Sequence, residues 1–377
     1  MEDDKVINLD TVENESFGEE IVIPFDPNKI HIRQRMFTLG QLIDKIDCNE
    51  IVFDTKFQRK DDLWDDQKQS RLVESILLAI PIPAFYFDES DIDNSDLPTE
   101  ERRWQVIDGL QRCSTFRNFC VKKSLVLNGL EYLTQYNGVS YDQLPKTLRR
   151  RIEQTQITIY ILEKGTPENV KFNIFKRLNT GGLVLTPQEI RHAMNQGKPA
   201  KLIAQMANSA IFKSATCNKI PTDRMQDRDF VTRFVAFYLQ RYQDYQSDLD
   251  SFMAEGMARI RKLTEKECND MVSDFDKAMH AAYDIFGEDS FRKREYPSDP
   301  RKQINKALFE TLSVAFAQLP QFKIDKLIER KDTFIAKFME LNRNLYFKQA
   351  LSQSTGKPTA VKYRHEGVDR IIKETLN

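Results

Sequence analysis

The sequence predicts an α+β protein in two parts: an N-terminal domain that holds the strand signals, followed by an all-helical domain. Three observations predict it. Short runs rich in β-branched and aromatic residues fall in the first half of the chain, namely Ile51-Val52-Phe53, Ala84-Phe85-Tyr86-Phe87, Trp104-Gln105-Val106-Ile107 and Ile157-Thr158-Ile159-Tyr160-Ile161-Leu162. Beyond about residue 196 strand signals largely disappear, and apolar residues recur at helical spacing. Finally, 377 residues suffice for two cores.

Composition narrows the class. Hydrophobic residues make up 40% and charged residues 30%, the balance of a soluble globular protein. The net charge of −1 supplies no global field for nucleic acid, so any such contact must come from a local basic patch. No apolar run approaches the roughly 20 residues of a membrane helix. The acidic start Met1-Glu2-Asp3-Asp4 is unlike a signal peptide, and a cytoplasmic protein without membrane contact is expected. Cys48, Cys113, Cys120, Cys217 and Cys268 are odd in number and include no Cys-x-x-Cys pair. They read as reduced thiols rather than a disulfide framework or zinc site.

Residues 1–30 are acidic, with an apolar island at Ile21-Val22-Ile23-Pro24-Phe25, and read as a mobile tail with one docking segment. Thr38 is placed to cap a short helix through Leu39 and Ile43. A second helix runs from Asp65 through Leu78, with Asp65-Asp66 at its positive end and Leu72, Val73, Ile76 and Leu77 on its buried face. Pro81 and Pro83 end it. The acidic tract from Asp88 to Arg103 reads as an exposed loop, and Leu125 to Tyr141 as a hairpin or an irregular excursion. Leu144-Pro145 opens a helix carrying Arg149-Arg150-Arg151. Thr166-Pro167-Glu168 has the order of a cap, a first-position proline and a first-turn acid, starting a helix that runs to Asn179-Thr180-Gly181-Gly182. Thr186-Pro187-Gln188-Glu189 has capping-box spacing.

Three stripes then repeat at helical spacing and predict a bundle core: Phe230, Phe234, Phe237 and Tyr238; Met271, Phe275, Met279, Ala282 and Phe286; Ile304, Leu308, Leu312 and Phe316. His280 lies within such an apolar helix and reads as a packed histidine. The four histidines are scattered without metal-ligand spacing, so DNA cleavage by this chain alone is a minor reading.

The stretch Trp104 to Phe116 organises the rest. A strand meets Asp108-Gly109, and Gln111 and Arg112 open a segment with helical spacing at Phe116, Phe119 and Cys120. Such a turn directs backbone N–H groups outward at the positive end of a helix beside a guanidinium, a setting for an anion such as phosphate. Asp-Gly after a strand is equally a hairpin turn, and the stretch alone does not choose.

Four ordered blocks add to it: Phe57-Gln58-Arg59, Ser75 to Pro83, Asp108-Gly109-Leu110-Gln111-Arg112, and Phe175 to Gly182 with Arg177 and Asn179. Together they resemble the N-terminal domain of GmrSD-type modification-dependent restriction enzymes, usually marked by Asp-Gly-Gln-Gln-Arg. Here Leu110 replaces the first Gln. The resemblance implies a ParB/sulfiredoxin-like mixed-sheet domain and a nucleoside triphosphate against the loop 108–112, often in anti-phage defence; together with the helical spacing beyond residue 196, it places this domain at residues 31–195 and the helical domain at 196–377.

On that implication Gly109 admits the phosphates closely, Arg112 pairs with them, and Ser114 and Thr115 add hydroxyl donors. Asp108 accepts from a ribose hydroxyl or binds Mg²⁺. Gln58, Arg59, Gln111, Arg177 and Asn179 are further candidates for the same ligand. Asp108 and Arg112 are the catalytic candidates if the triphosphate is hydrolysed, which needs no Walker motif but does need positioned charge. Structural roles stand beside these: turn formation for Asp108, a surface ion pair for Arg59, helix capping for Asn179. Basic clusters at Lys146–Arg151, Arg259–Lys262, Arg292–Arg294 and Lys357–Arg364, the last with Tyr363, are candidates for DNA contact. The expected function is a nucleotide-binding, triphosphate-hydrolysing protein that couples nucleotide to DNA or partner recognition. The alternative is a non-enzymatic switch acting with a separate effector protein.

Overall fold

In the computed structural model, which describes residues 12–13, 31–52, 64–89, 103–178, 185–246, 248–353 and 355–377, the strand runs of the first half build one mixed sheet. Its strands are β1 (Ile32–Thr38), β2 (Ile51–Val52), β3 (Phe85–Asp88), β4 (Trp104–Asp108) and β5 (Gln156–Leu162), ordered β1-β5-β3-β4-β2. β5 pairs antiparallel with β1 and parallel with β3, while β4 runs antiparallel to β3 and parallel to β2. Helices α1 (Leu39–Asp47), α2 (Asp66–Leu77), α3 (Leu110–Phe116), α4 (Lys146–Gln154) and α5 (Glu168–Leu178) accompany it. The division by compactness assigns Phe25–Leu185 to this unit, and Met1–Pro24 with Thr186–Asn377 to a helical one.

Alternation decides which face of the sheet is sealed. Ile157, Ile159, Ile161, Phe85 and Phe87 are buried, and they join Leu39, Leu42, Ile76, Leu77 and Phe116 in one core. The other face carries Gln34, Met36, Thr158, Tyr160 and Tyr86, of which Met36 is 60% exposed. The local signals explain the helix starts. Thr38 caps α1 in a reciprocal box with Gln41, and the Asp65 carboxylate accepts from Lys68 N–H at the start of α2. α3 continues into a π-helical turn over Arg117–Val121, and Phe116, Phe119 and Cys120, on one helical face, are buried.

Several expectations need correction. Thr166 does not cap α5: its hydroxyl is bonded to the backbone of His31, and Pro167 O accepts from Val170 and Lys171 N–H instead. The tract after β3 does not begin exposed, because Asp88 and Glu89 are buried. Lys171, itself buried, lies 3.2 Å from Asp88 Oδ2 and 3.3 Å from Glu168 Oε1, so the strand end closes on an internal ion pair. Of the two readings of Leu125–Tyr141, the irregular excursion is the one that forms; the buried Glu74 carboxylate of α2 accepts the N–H groups of Glu131, Tyr132 and Leu133 at 2.8–3.0 Å. The island at residues 21–25 lies outside the described residues.

The helical unit contains α6 (Pro187–Met194), α7 (Lys198–Ala207), α8 (Ala210–Ala215), α9 (Gln226–Leu239), α10 (Leu249–Arg259), α11 (Glu265–Phe286), α12 (Lys306–Ala317), α13 (Gln321–Glu329), α14 (Lys331–Arg343), α15 (Leu345–Ser352) and α16 (Pro358–Leu376). The three apolar stripes fall on α9, on α11, and on α12 with Ile304 just before it, and they form its core with Tyr238 and Phe286 at the margin. Thr186 and Glu189 form the expected capping box at α6. His280 is exposed on α11, contrary to expectation; among the described residues the buried histidines are His192 of α6 and His365 of α16, the latter stacked on Tyr242 at 4.6 Å. Among the described residues no helix is long and apolar enough to cross a membrane.

Candidate functional site

The strand–turn–helix corner forms where the sequence places it, with one feature no propensity shows. Tyr86 pairs with Asp108 but Phe87 pairs with Val106, so Ile107 is an extra residue in β4. A β-bulge of this kind redirects the end of a strand. Gly109 follows at φ 100°, ψ 14°, the left-handed region. A Cβ there would sit 2.6 Å from Phe85 Cδ1 and 3.2 Å from Arg112 Nη2, so both backbone and space demand glycine. Among the described residues no side chain caps α3, which begins at Leu110.

Arg112 turns inward. One of its terminal nitrogens donates to Pro83 O, the other to Ala84 O at 3.2 Å and to Asp108 Oδ2 at 2.8 Å, and the guanidinium lies 4.4 Å from the centre of the Phe85 ring. Only 8% of the residue is exposed. The chain entering β3 is thereby fastened to the end of β4. Burial, the larger influence, lowers the Arg112 pKa against the opposing pull of Asp108, and the group stays a cation. Asp108 is the open member of the pair, with 42% of its side chain exposed and Oδ1 outside the ion pair.

The other expected site residues divide. Gln111 Oε1 accepts from Trp64 N–H at 3.1 Å and Gln69 donates to Trp64 O at 2.8 Å, so Gln111 anchors the start of the segment that leads into α2. Ser114 and Thr115 are buried: the Thr115 hydroxyl donates to Gln111 O within α3, and Ser114 Oγ finds no partner among the described residues. In this structure neither hydroxyl faces solvent beside Asp108. Arg177 stands exposed in the last turn of α5, a helix that packs on β4. Gln58, Arg59, Asn179, Gly181 and Gly182 lie outside the described residues. Cys113 is fully buried in α3, and burial pushes its thiol up to about 12, outweighing the adjacent Arg112, so no thiolate is stabilised there.

The basic clusters are partly consumed inside the fold. Arg151 donates to Leu77 O, Arg261 to Met194 O and Asn195 Oδ1, and Arg292 to Glu288 O, while Arg364 is fully buried against Glu310. Among the described residues no group of three or more His, Cys, Asp or Glu side chains could hold a metal ion. A lone carboxylate such as Asp108 suits Mg²⁺ only in company with the ligand's own phosphates.

Residues 39–195 match the family model of the GmrSD restriction endonuclease, N-terminal domain. The match covers less than half of the chain, takes in every element from α1 to α6, and supports the resemblance drawn from the four sequence blocks. It runs past the compact boundary at Leu185, so α6 belongs to the matched stretch in sequence and to the helical unit in packing. No curated protein and no solved structure matches the chain.

Proposed function

We propose that the mixed-sheet unit binds a nucleoside triphosphate with Mg²⁺ at the Asp108–Arg112 corner, and that the chain couples this binding to recognition of DNA or of a partner protein. The match over residues 39–195 supports a restriction or defence-type setting. One observation carries the nucleotide reading: a glycine that cannot be replaced, at the uncapped start of a helix, beside a carboxylate whose second oxygen is open. The backbone can approach phosphate there, and Asp108 can take a ribose hydroxyl or the metal.

A second reading concerns turnover. Transition-state stabilisation in phosphoryl transfer needs cationic charge aimed at the transferred group, and the Arg112 guanidinium already donates to two carbonyls and a carboxylate. That engagement favours a switch that binds nucleotide without hydrolysing it and acts with a separate effector.

A thermal-shift screen of the four ribonucleoside triphosphates with Mg²⁺ tests the binding. A ligand at a hundred times its Kd stabilises the folded state by about 2.7 kcal/mol, a readable rise in Tm. Asp108→Asn is expected to keep the fold and lose the Mg²⁺-dependent part of the shift. Folded protein that responds to no triphosphate removes the reading. Phosphate release then separates the two alternatives, since turnover that disappears in a folded Asp108→Asn assigns hydrolysis and tight binding without release assigns the switch.

A further inference from the structure

The register of the sheet sets four side chains of the face opposite the core in one transverse row, beside the part of that face where Asp88 and Leu162 are buried and Lys171 of α5 pairs with Asp88. Gln34 of β1 lies opposite Tyr160 of β5, Tyr160 opposite Tyr86 of β3, and Tyr86 opposite Asp108 of β4. The two tyrosine rings are stacked, with centroids 4.9 Å apart and planes 17° from parallel. That separation equals the spacing of neighbouring strands, about 4.7–4.9 Å, so the rings stack along the inter-strand direction. One face of the Tyr86 ring is therefore taken by Tyr160, and its second face is directed toward β4, where Asp108 stands. Both rings are only partly buried, and neither phenol oxygen is a buried group lacking a partner. The negative charge of Asp108 reaches the Tyr86 phenol: burial first, then Tyr160 and Asp108, raise its pKa.

The contrast with the sealed face is sharp. There the aromatic rings Phe85 and Phe87 fill a core; here two tyrosines stand on the side not filled by it, next to Met36 and Thr158. A β-sheet face that offers aromatic rings beside hydrogen-bonding groups is a surface on which nucleobases stack. We propose that Tyr86 and Tyr160 form the nucleobase platform of the site. The base continues the stack on the outer face of Tyr86, and its sugar hydroxyls meet Asp108. The proposal rests on the nucleotide reading for the free ligand, but the recognised chemistry is the base itself. A free nucleoside triphosphate and an unpaired base of a single strand are its two sources.

The test uses the full chain and three probes with Mg²⁺: a nucleoside triphosphate, inorganic tripolyphosphate, which has no base, and a short single-stranded oligonucleotide. Calorimetry compares the wild type with Tyr86→Ala, Tyr160→Ala and Tyr86→Phe, each checked for its fold by circular dichroism. Removing one stacking ring is expected to weaken binding of the base-bearing probe roughly 5- to 150-fold, with Tyr86→Phe near wild type. Tripolyphosphate affinity should be the same in all four proteins. The base-bearing probe that loses affinity identifies the source. Unchanged nucleoside triphosphate and oligonucleotide affinities in a folded Tyr86→Ala overturn the platform while leaving the nucleotide reading standing. A wild type that ignores both triphosphate probes ends that reading, yet loss of oligonucleotide binding in Tyr86→Ala still supports the platform. If the oligonucleotide is ignored as well, the platform falls with it.

Discussion

Both units of the molecule bury arginines, and Arg112 of one and the Glu310 cluster of the other satisfy them in opposite ways. In the mixed-sheet unit Arg112 is held by two main-chain carbonyls and by one carboxylate that remains half open to water. In the helical unit the Glu310 carboxylate is fully buried and takes Arg364 on Oε1 and Arg233 on Oε2, with the latter at 3.2 Å, while Arg191 spans Asp229 and Asp250 at 2.7 and 2.9 Å. The second arrangement is closed, joining α9, α12 and α16 through charges that no ligand reaches. The first leaves a carboxylate oxygen at the surface beside a fixed backbone. A buried cation held by carbonyls can support a site, whereas one held by buried carboxylates fixes helix packing.

The largest effect expected from this contrast is at Glu310. Glu310→Ala leaves two guanidiniums without their counter-charge inside the bundle, and breaking a buried pair in this way costs about 3–5 kcal/mol. Urea unfolding measures it, and a loss below 1 kcal/mol would break the distinction between the units. Acid probes the same centre. Burial would raise the Glu310 pKa, but Arg364, then His365 and Arg233, hold it down to about 2 from the ordinary 4.5. Its contribution is present above 4.5 and is lost as pH falls toward 2. Burial lowers the His365 pKa from its ordinary 6.5, so acidification below that value also favours the unfolded state, which takes up the proton more readily. Denaturation midpoints measured from pH 7 down to pH 3 should fall throughout and more steeply below 4.5; a flat profile contradicts the assignment.

In the mixed-sheet unit the weak point is geometry rather than charge. Gly109→Ala forces a Cβ against Phe85 in a left-handed backbone and should cost on the order of 2–4 kcal/mol, with ligand response lost in parallel. A neutral result would free the corner from the constraint that defines it. The smallest expected effect is at the α6 box, where Thr186→Ala removes the bond from Glu189 N–H and costs about 1 kcal/mol. Urea midpoints resolve that difference. A larger loss would show that α6 contributes more than an ordinary helix start.

Much of this architecture was legible in the residues, because its signals are local. The Thr38 and Thr186 caps, the Asp65 start, the helical stripes of α9 and α11, and the strand–glycine–helix corner each occupy a few consecutive positions. What escaped depends on partners distant in sequence. β1 gave no strand signal because Arg33 and Arg35 interrupt it, and charge of this kind is tolerated at a sheet edge. Thr166 has a capping sequence but finds His31 instead. The Lys357–Arg364 cluster suggested a basic surface, yet Arg364 is spent on a glutamate far away in sequence. The Tyr86–Tyr160 pair is invisible until the register is known.

The unpaired Ile107 makes the spacing between Trp104 and Asp108 a matter of counting rather than chemistry. Shortening β4 by that residue would change no charged or catalytic side chain, yet it would let the ladder close without a break and carry Asp108 and Gly109 one step back along the strand. Deletions at this point are therefore far harsher than substitutions. A variant with every candidate residue intact can still be inert because the aspartate arrives on the wrong beat of the pleat.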